Sequence, residues 1–154
     1  MATINRISAE FYDDTFKLIA IHCSLEGYAM AYHVNNVLNL KLSRREEREK
    51  DDVLDLFSVY EWKDEINDHY WTLMENMVKE EIKGKALGLF SNEIATNTHY
   101  LLEEKKEVDF FLKIEVEEDF LINQSIKKIN KIPQVVTAYS IEVITLKSKR
   151  NLIF

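Results

Sequence analysis

The sequence predicts one α+β domain spanning residues 1–154: a mixed, largely antiparallel sheet with two main helices, in a split β-α-β (ferredoxin-like) arrangement carrying an inserted hairpin. Three observations predict it. Residues 15–24 are apolar on both faces of an extended chain. Residues 25–39 and about 120–130 repeat their apolar positions at helical spacing. The middle of the chain reads as two aromatic-rich strands around a polar turn. A chain of 154 residues fits a single domain, which buries roughly 70% of its unfolded surface. With Gly 3 and Pro 1, there is little material for a linker.

In residues 15–24, Phe16, Leu18 and Ala20 share one face, and Ile19, Ile21 and Cys23 share the other. A strand of this kind belongs near the middle of a sheet, covered on both sides. Ser24 stands where its hydroxyl can cap the helix that follows. In residues 25–39, Met30, Ala31, Val34, Val37 and Leu38 form one apolar arc. Leu25, Tyr28, Ala29 and Tyr32 form a second arc on roughly the opposite side. One arc packs on the sheet. The other needs a partner, either residues 80–98 of the same chain or a second molecule.

Leu40 and Leu42 suggest a short strand leading into the charged run 44–52, which reads as solvated loop. Residues 57–62 and 69–77 read as strands, and Asp64, Asn67 and Asp68 between them suit a turn. Residues 80–98, with Gly84 and Gly88, show no deciding pattern. In 108–116, Val108, Phe110, Leu112, Ile114 and Val116 alternate with Asp109, Lys113 and Glu115. Asp119 can cap a second helix with Ile122, Ile126 and Ile129 on its inner side, ended by Ile132 and Pro133. A strand over 134–144 closes the chain's second strand–helix–strand unit, with Val135, Thr137, Tyr139, Ile141 and Val143 on one face. Leu152, Ile153 and Phe154 form an apolar end expected to dock on the domain or a partner.

Charge and cysteine usage narrow the function classes. The net charge of −7 denies the chain the field that supplies most non-specific nucleic-acid affinity, and it disfavours anionic membranes. Neither nucleic acid nor membrane is expected as a partner. Cys23 is the one cysteine, so no internal disulfide forms and zinc motifs built on cysteine pairs are absent. No apolar leader and no run of about 18 apolar residues occurs, which leads to the expectation of a cytoplasmic protein.

Residues 102–110 (LEEKKEVDF) carry Glu104, Val108 and Asp109 at the spacing of the IPExxxVDY signature, which marks a family of small uncharacterised bacterial proteins. Leu102, Glu103 and Phe110 stand where that signature has Ile, Pro and Tyr. Tyr28 to Tyr32 followed by Asn35, then Phe111 to Ile114, and the ending from Leu146 to Phe154 also resemble that family. The resemblance spans nearly the whole chain and implies kinship without an activity.

Residues able to carry chemistry are scattered. His22, His33, His69 and His99 form no close pair of the kind that starts a zinc site, and no metal or cofactor is expected. Cys23 precedes a helix, a setting that can favour a thiolate, yet a buried apolar role suits its strand better. Asn35, Glu61 and Asp109 are the candidate polar site, and Leu25, Tyr28 and Tyr32 the candidate interaction surface. No phosphate loop, nucleophile elbow or dinucleotide fingerprint occurs. The expected function is a non-catalytic binding or interaction module that self-associates, most simply as a homodimer, with room for an unidentified protein partner. An enzyme or small-molecule binder with a site built from distant residues such as Cys23, Asp109 and Tyr139 is the alternative.

Overall fold

The computed structural model describes residues 16–46, 53–83, 94–116 and 118–152, with the backbone alone for 53, 54, 83 and 94. The first strand, β1 (Lys17–Cys23), lies between β7 (Phe110–Glu115) and β8 (Val135–Ile141) and pairs antiparallel with both. Its position follows from its composition. Leu18, Ile19, Ala20 and Ile21 are all fully buried, two on each face.

Helix α1 (Gly27–Leu38) follows, then β2 (Ser43–Arg44), the hairpin β3 (Val59–Asp64) and β4 (His69–Glu75), and a ribbon of β5 (Met77–Lys83) and β6 (Ile94–Tyr100). Helix α2 (Asp119–Ile129) joins β7 to β8. The main sheet runs β2-β3-β4-β7-β1-β8, and the ribbon is a separate two-stranded sheet. Because β7 and β8 both oppose β1, they are parallel to each other with β1 between them. This is the split β-α-β unit. Strands β4, β7, β1 and β8 with the two helices keep the ferredoxin-like order, and β3 and β2 extend it on one side.

Each face of the sheet has its own apolar cluster. Met30, Ala31 and Val34 of α1 and Ile122 and Ile129 of α2 pack on Ile19, Ile21, Leu73, Leu112 and Ile114. On the opposite face, Leu18, Ala20, Met74 and Phe111 are covered by Leu101, Leu102, Val108, Val143, Leu146 and Leu152. That second cover is irregular chain rather than helix. Bonds that hold its C-terminal part include Ser148 N–H to Glu104, Asn151 Nδ2 to the Leu101 carbonyl, and Lys113 Nζ to the Leu152 carbonyl, each at 2.8 Å. The apolar ending therefore docks on its own domain as far as Leu152, which is fully buried. Ile153 and Phe154 lie outside the described residues.

Several expected boundaries move for physical reasons. Residues 80–83 and 94–98, where no pattern decided, belong to the ribbon; 84–93 lie outside the described residues, as do 47–52 of the charged run. Strand β8 ends at Ile141, and a 3-10 turn (Val143–Thr145) takes the place of its expected last residues. Its face does not alternate as read. The register slips at His22/Cys23, where Cys23 pairs with Val135 and His22 with Thr137. Val136 is the extra residue, so Val135 turns to the helix side while Thr137 and Tyr139 stay on the other.

Asn76 ties the ribbon to the sheet. It is fully buried at the β4–β5 junction, and its side chain makes three bonds: Nδ2 donates to the carbonyls of Lys105 (2.7 Å) and Val108 (2.9 Å), and Oδ1 accepts from Leu102 N–H (2.9 Å). Its backbone donates to Asp109 and accepts from Leu101. Removing the amide leaves buried backbone groups without partners, at about 1–3 kcal/mol for each one left unmade. Asn76→Ala is expected to lower unfolding stability by about 3 kcal/mol in urea titration, well beyond an exposed Asn→Ala control such as Asn36→Ala.

Candidate functional site

The outer face of α1 is the surface the sequence singled out. The helix begins at Gly27, not at residue 25, and the cap position holds Glu26 with no side-chain bond. Ser24 therefore does not cap it. The carboxylate of Glu75, at the end of β4, accepts the Gly27 N–H instead and brings a negative charge to the helix N-terminus. A Cβ at position 27 would sit 2.7 Å from Glu75 Oε1, so the close approach requires glycine. Asn39, left-handed at φ 56°, ends the helix. Met30 and Val34 face the sheet with no exposure, while Tyr28 and Tyr32 stand 69% and 63% exposed. Leu25 is half-buried at the border. The twelve residues of α1 contain no Asp, Glu, Lys or Arg.

Of the candidate polar residues, Glu61 enters a cluster and the other two serve the backbone. On the sheet face away from the helices, the pairing registers align Ser43, Glu61, Thr72 and Lys113 in one row. Glu61 Oε2 accepts from Tyr70 OH (2.6 Å) and from both Nε (3.0 Å) and Nη2 of Arg45. Burial first, and then the bonded Glu61 carboxylate, pushes the Tyr70 hydroxyl above its ordinary value. Lys113 is 6% exposed, with Nζ 3.9 Å from Glu115 and 4.9 Å from the centre of the Phe16 ring; burial pushes its ammonium down. The charged members of the row meet partners outside it, Glu61 meeting Arg45 and Lys113 meeting Glu115, and Lys113 also reaches the C-terminal segment at the Leu152 carbonyl.

Asn35 makes a two-way bond with the Leu42 backbone, Nδ2 to its carbonyl (3.1 Å) and Oδ1 from its N–H (2.8 Å). Asp109 Oδ2 accepts the Cys23 N–H at 3.0 Å and lengthens the pairing at the end of β1. These three residues do not converge on one site.

Cys23, Asp109 and Tyr139 do not converge either. Cys23 Sγ lies 3.5 Å from Met30 Sδ on the helix side, and burial above all raises its thiol, with Asp109 adding to the rise. The protonated thiol is a poor nucleophile. Tyr139 is on the other face, its hydroxyl 3.0 Å from His22 Nε2 with the rings stacked. Among the described residues, no group of three His, Cys, Asp or Glu side chains has metal-binding geometry. An open groove of about 460 Å³ runs between Phe16, Ile122 and Ile141, bridged at its mouth by the exposed Lys17–Asp119 ion pair at 3.1 Å. No helix among the described residues is long and apolar enough to cross a membrane.

No known family model matches the chain, and no curated protein or solved structure was found similar to it. Sequence reading missed Glu75 as the cap of α1, Asn130 as the clamp on β8, Arg45 as the partner of Glu61, and Lys113 as a buried cation on the same face. The alternation in 108–116 could have flagged Lys113, since its neighbour on that face, Phe111, is apolar and fully buried.

Glu75 gives the site a pH dependence. Burial raises its carboxyl more than the bonds from Ser58 and Gly27 lower it. The folded chain thus holds this proton to higher pH than the unfolded chain does. The resulting penalty is absent below the ordinary value of 4.5 and grows as pH rises through the raised one. Glu75→Gln is expected to match the wild type in urea unfolding at about pH 4 and to exceed it at neutral pH. Equal stability at both would show that the cap's attraction to the helix N-terminus fully offsets its burial.

Proposed function

We propose that this protein is a non-catalytic interaction module of the cytoplasm that pairs with a second copy of itself through the outer face of α1. The observation that carries this reading is an uncharged surface helix presenting Tyr28 and Tyr32 one turn apart, in a chain of which 31% is charged. Two copies at net charge −7 repel each other, so a self-contact needs a patch free of charge. Tyrosine suits the place because its ring buries apolar area while its hydroxyl keeps a polar contact. Four rings across a two-fold axis would bury on the order of 600 Å². That is about half of a small specific interface, with Leu25, Ala29 and His33 supplying the border.

The residues that resemble the IPExxxVDY signature have roles within the fold. Glu104 holds Ser148, Val108 lies in the second cluster, and Asp109 holds Cys23. The three residues shared with that signature each make a contact within the fold.

In sedimentation velocity at tens of micromolar, the wild type is expected to associate and the Tyr28→Glu, Tyr32→Glu double variant to lose that step with its circular dichroism unchanged. A monomeric wild type would end the reading. A step untouched by the two charges would place the contact elsewhere.

A further inference from the structure

We infer that the outer edge of β6 is a second self-association site, where two copies join β6 to β6 in an antiparallel, two-fold pair. A sheet edge presents unpaired N–H and C=O groups, and proteins guard such edges with charge, proline, bulges, short length or a cover. The edges among the described residues differ sharply in this respect. Strand β2 is two residues long and carries Arg44. Strand β8 is plugged at its centre: Asn130 Nδ2 donates to the Ala138 carbonyl (3.0 Å) and its Oδ1 accepts the Ala138 N–H (2.8 Å). The outer side of β5 carries Lys79, Glu80, Glu81 and Lys83. Among the described residues, strand β6 shows none of these guards. Its seven residues include no Asp, Glu, Lys, Arg or Pro, and its register with β5 runs unbroken from Met77↔Tyr100 to Lys83↔Ile94. Ala95, Thr96, Asn97 and Thr98 are exposed.

The occupant follows from the sequence of the strand. Folded back on itself about Asn97, β6 sets Thr96 against Thr98, Ala95 against His99 and Asn97 against Asn97 of the other copy. Every position meets a compatible one, and Thr–Thr pairs are favourable across antiparallel strands. No like charges meet, which a second chain of net charge −7 requires. An isolated two-stranded ribbon is also marginal in water, whereas β5-β6-β6-β5 across the axis makes four strands. The self-pair removes the edge and completes the small sheet together.

This site is independent of the α1 face, and two distinct two-fold contacts on one chain close most simply as a tetramer. The test is sedimentation velocity on the wild type, Thr96→Lys with Thr98→Lys, Asn97→Asp, and the α1 variant Tyr28→Glu with Tyr32→Glu. The wild type is expected as a tetramer, and the double lysine and α1 variants each as dimers. Asn97→Asp, which opposes two carboxylates at the axis with the least change of shape, should weaken the β6 step by about tenfold or more. A double lysine variant that assembles as the wild type does would overturn the β6 pairing, as would a monomeric wild type. A wild-type dimer made monomeric by the lysines and untouched at α1 would support β6 and remove the α1 reading. A dimer with the reverse sensitivity would remove β6 and keep α1. Unchanged far-ultraviolet circular dichroism of Asn97→Asp separates loss of pairing from loss of fold.

Discussion

The buried amide of Asn76 is the constraint on which the second layer of the molecule depends. Strand β4 ends in the sheet and β5 leaves it, and the single residue between them, Asn76, is fully enclosed. An enclosed residue needs partners for its backbone, and so does the segment 101–108 that lies against it. One amide answers both needs, since it alone can donate twice and accept in a single plane. With residues 101–108 fixed, Glu104 and the Leu101 carbonyl are in place to receive Ser148 and Asn151. The chain's last described residues then close over Leu18, Ala20 and Phe111. A carboxylate or an aliphatic side chain at position 76 could not join these pieces, because neither combines two donors with an acceptor.

Much of this was legible in the sequence, and the part that was legible is the part set by period. Residues 16–23 announced a central strand because both faces were apolar, and α1 announced two faces because its apolar residues fell on two arcs. The hairpin turn was readable from Asp64, whose Oδ1 accepts from Ile66 and Asn67, and from Asp68, which adopts φ 54°. What stayed hidden was set by distance in sequence. Glu75 caps a helix that begins 48 residues earlier in the chain, at Gly27. The ribbon strands were masked because neither has an alternating apolar face: Lys79, Glu80 and Glu81 are consecutive, and the residues opposite are Thr98, Asn97 and Thr96. Of the candidate site, the exposure of Tyr28 and Tyr32 could be read from helical geometry, whereas the partners of Glu61 could not, since Arg45 reaches it from beyond the sheet's short edge strand.

The two strand–helix–strand units share a device that periodicity does not show. In each, an asparagine at the end of the helix turns back and takes both the N–H and the carbonyl of one residue in the returning segment: Asn35 on Leu42, Asn130 on Ala138. An asparagine side chain has the donor and acceptor of a peptide group, so each clamp imitates one rung of an additional strand. In the first unit it fixes the chain where it enters β2. In the second it lies along an edge and denies that edge to other molecules.

The placement of β1 has a consequence for how the molecule is made. Strand β1 leaves the ribosome well before either of its neighbours, β7 and β8, which lie far from it in sequence. Contacts so distant in sequence slow folding, because loop closure precedes the gain from pairing. A growing chain therefore carries this apolar strand without its sheet partners until β7 and β8 are made, while the β3–β4 hairpin can close early from local contacts. The sheet closes only once β8 has been made, and until then the unaccompanied strand is a segment of the nascent chain that a chaperone would meet.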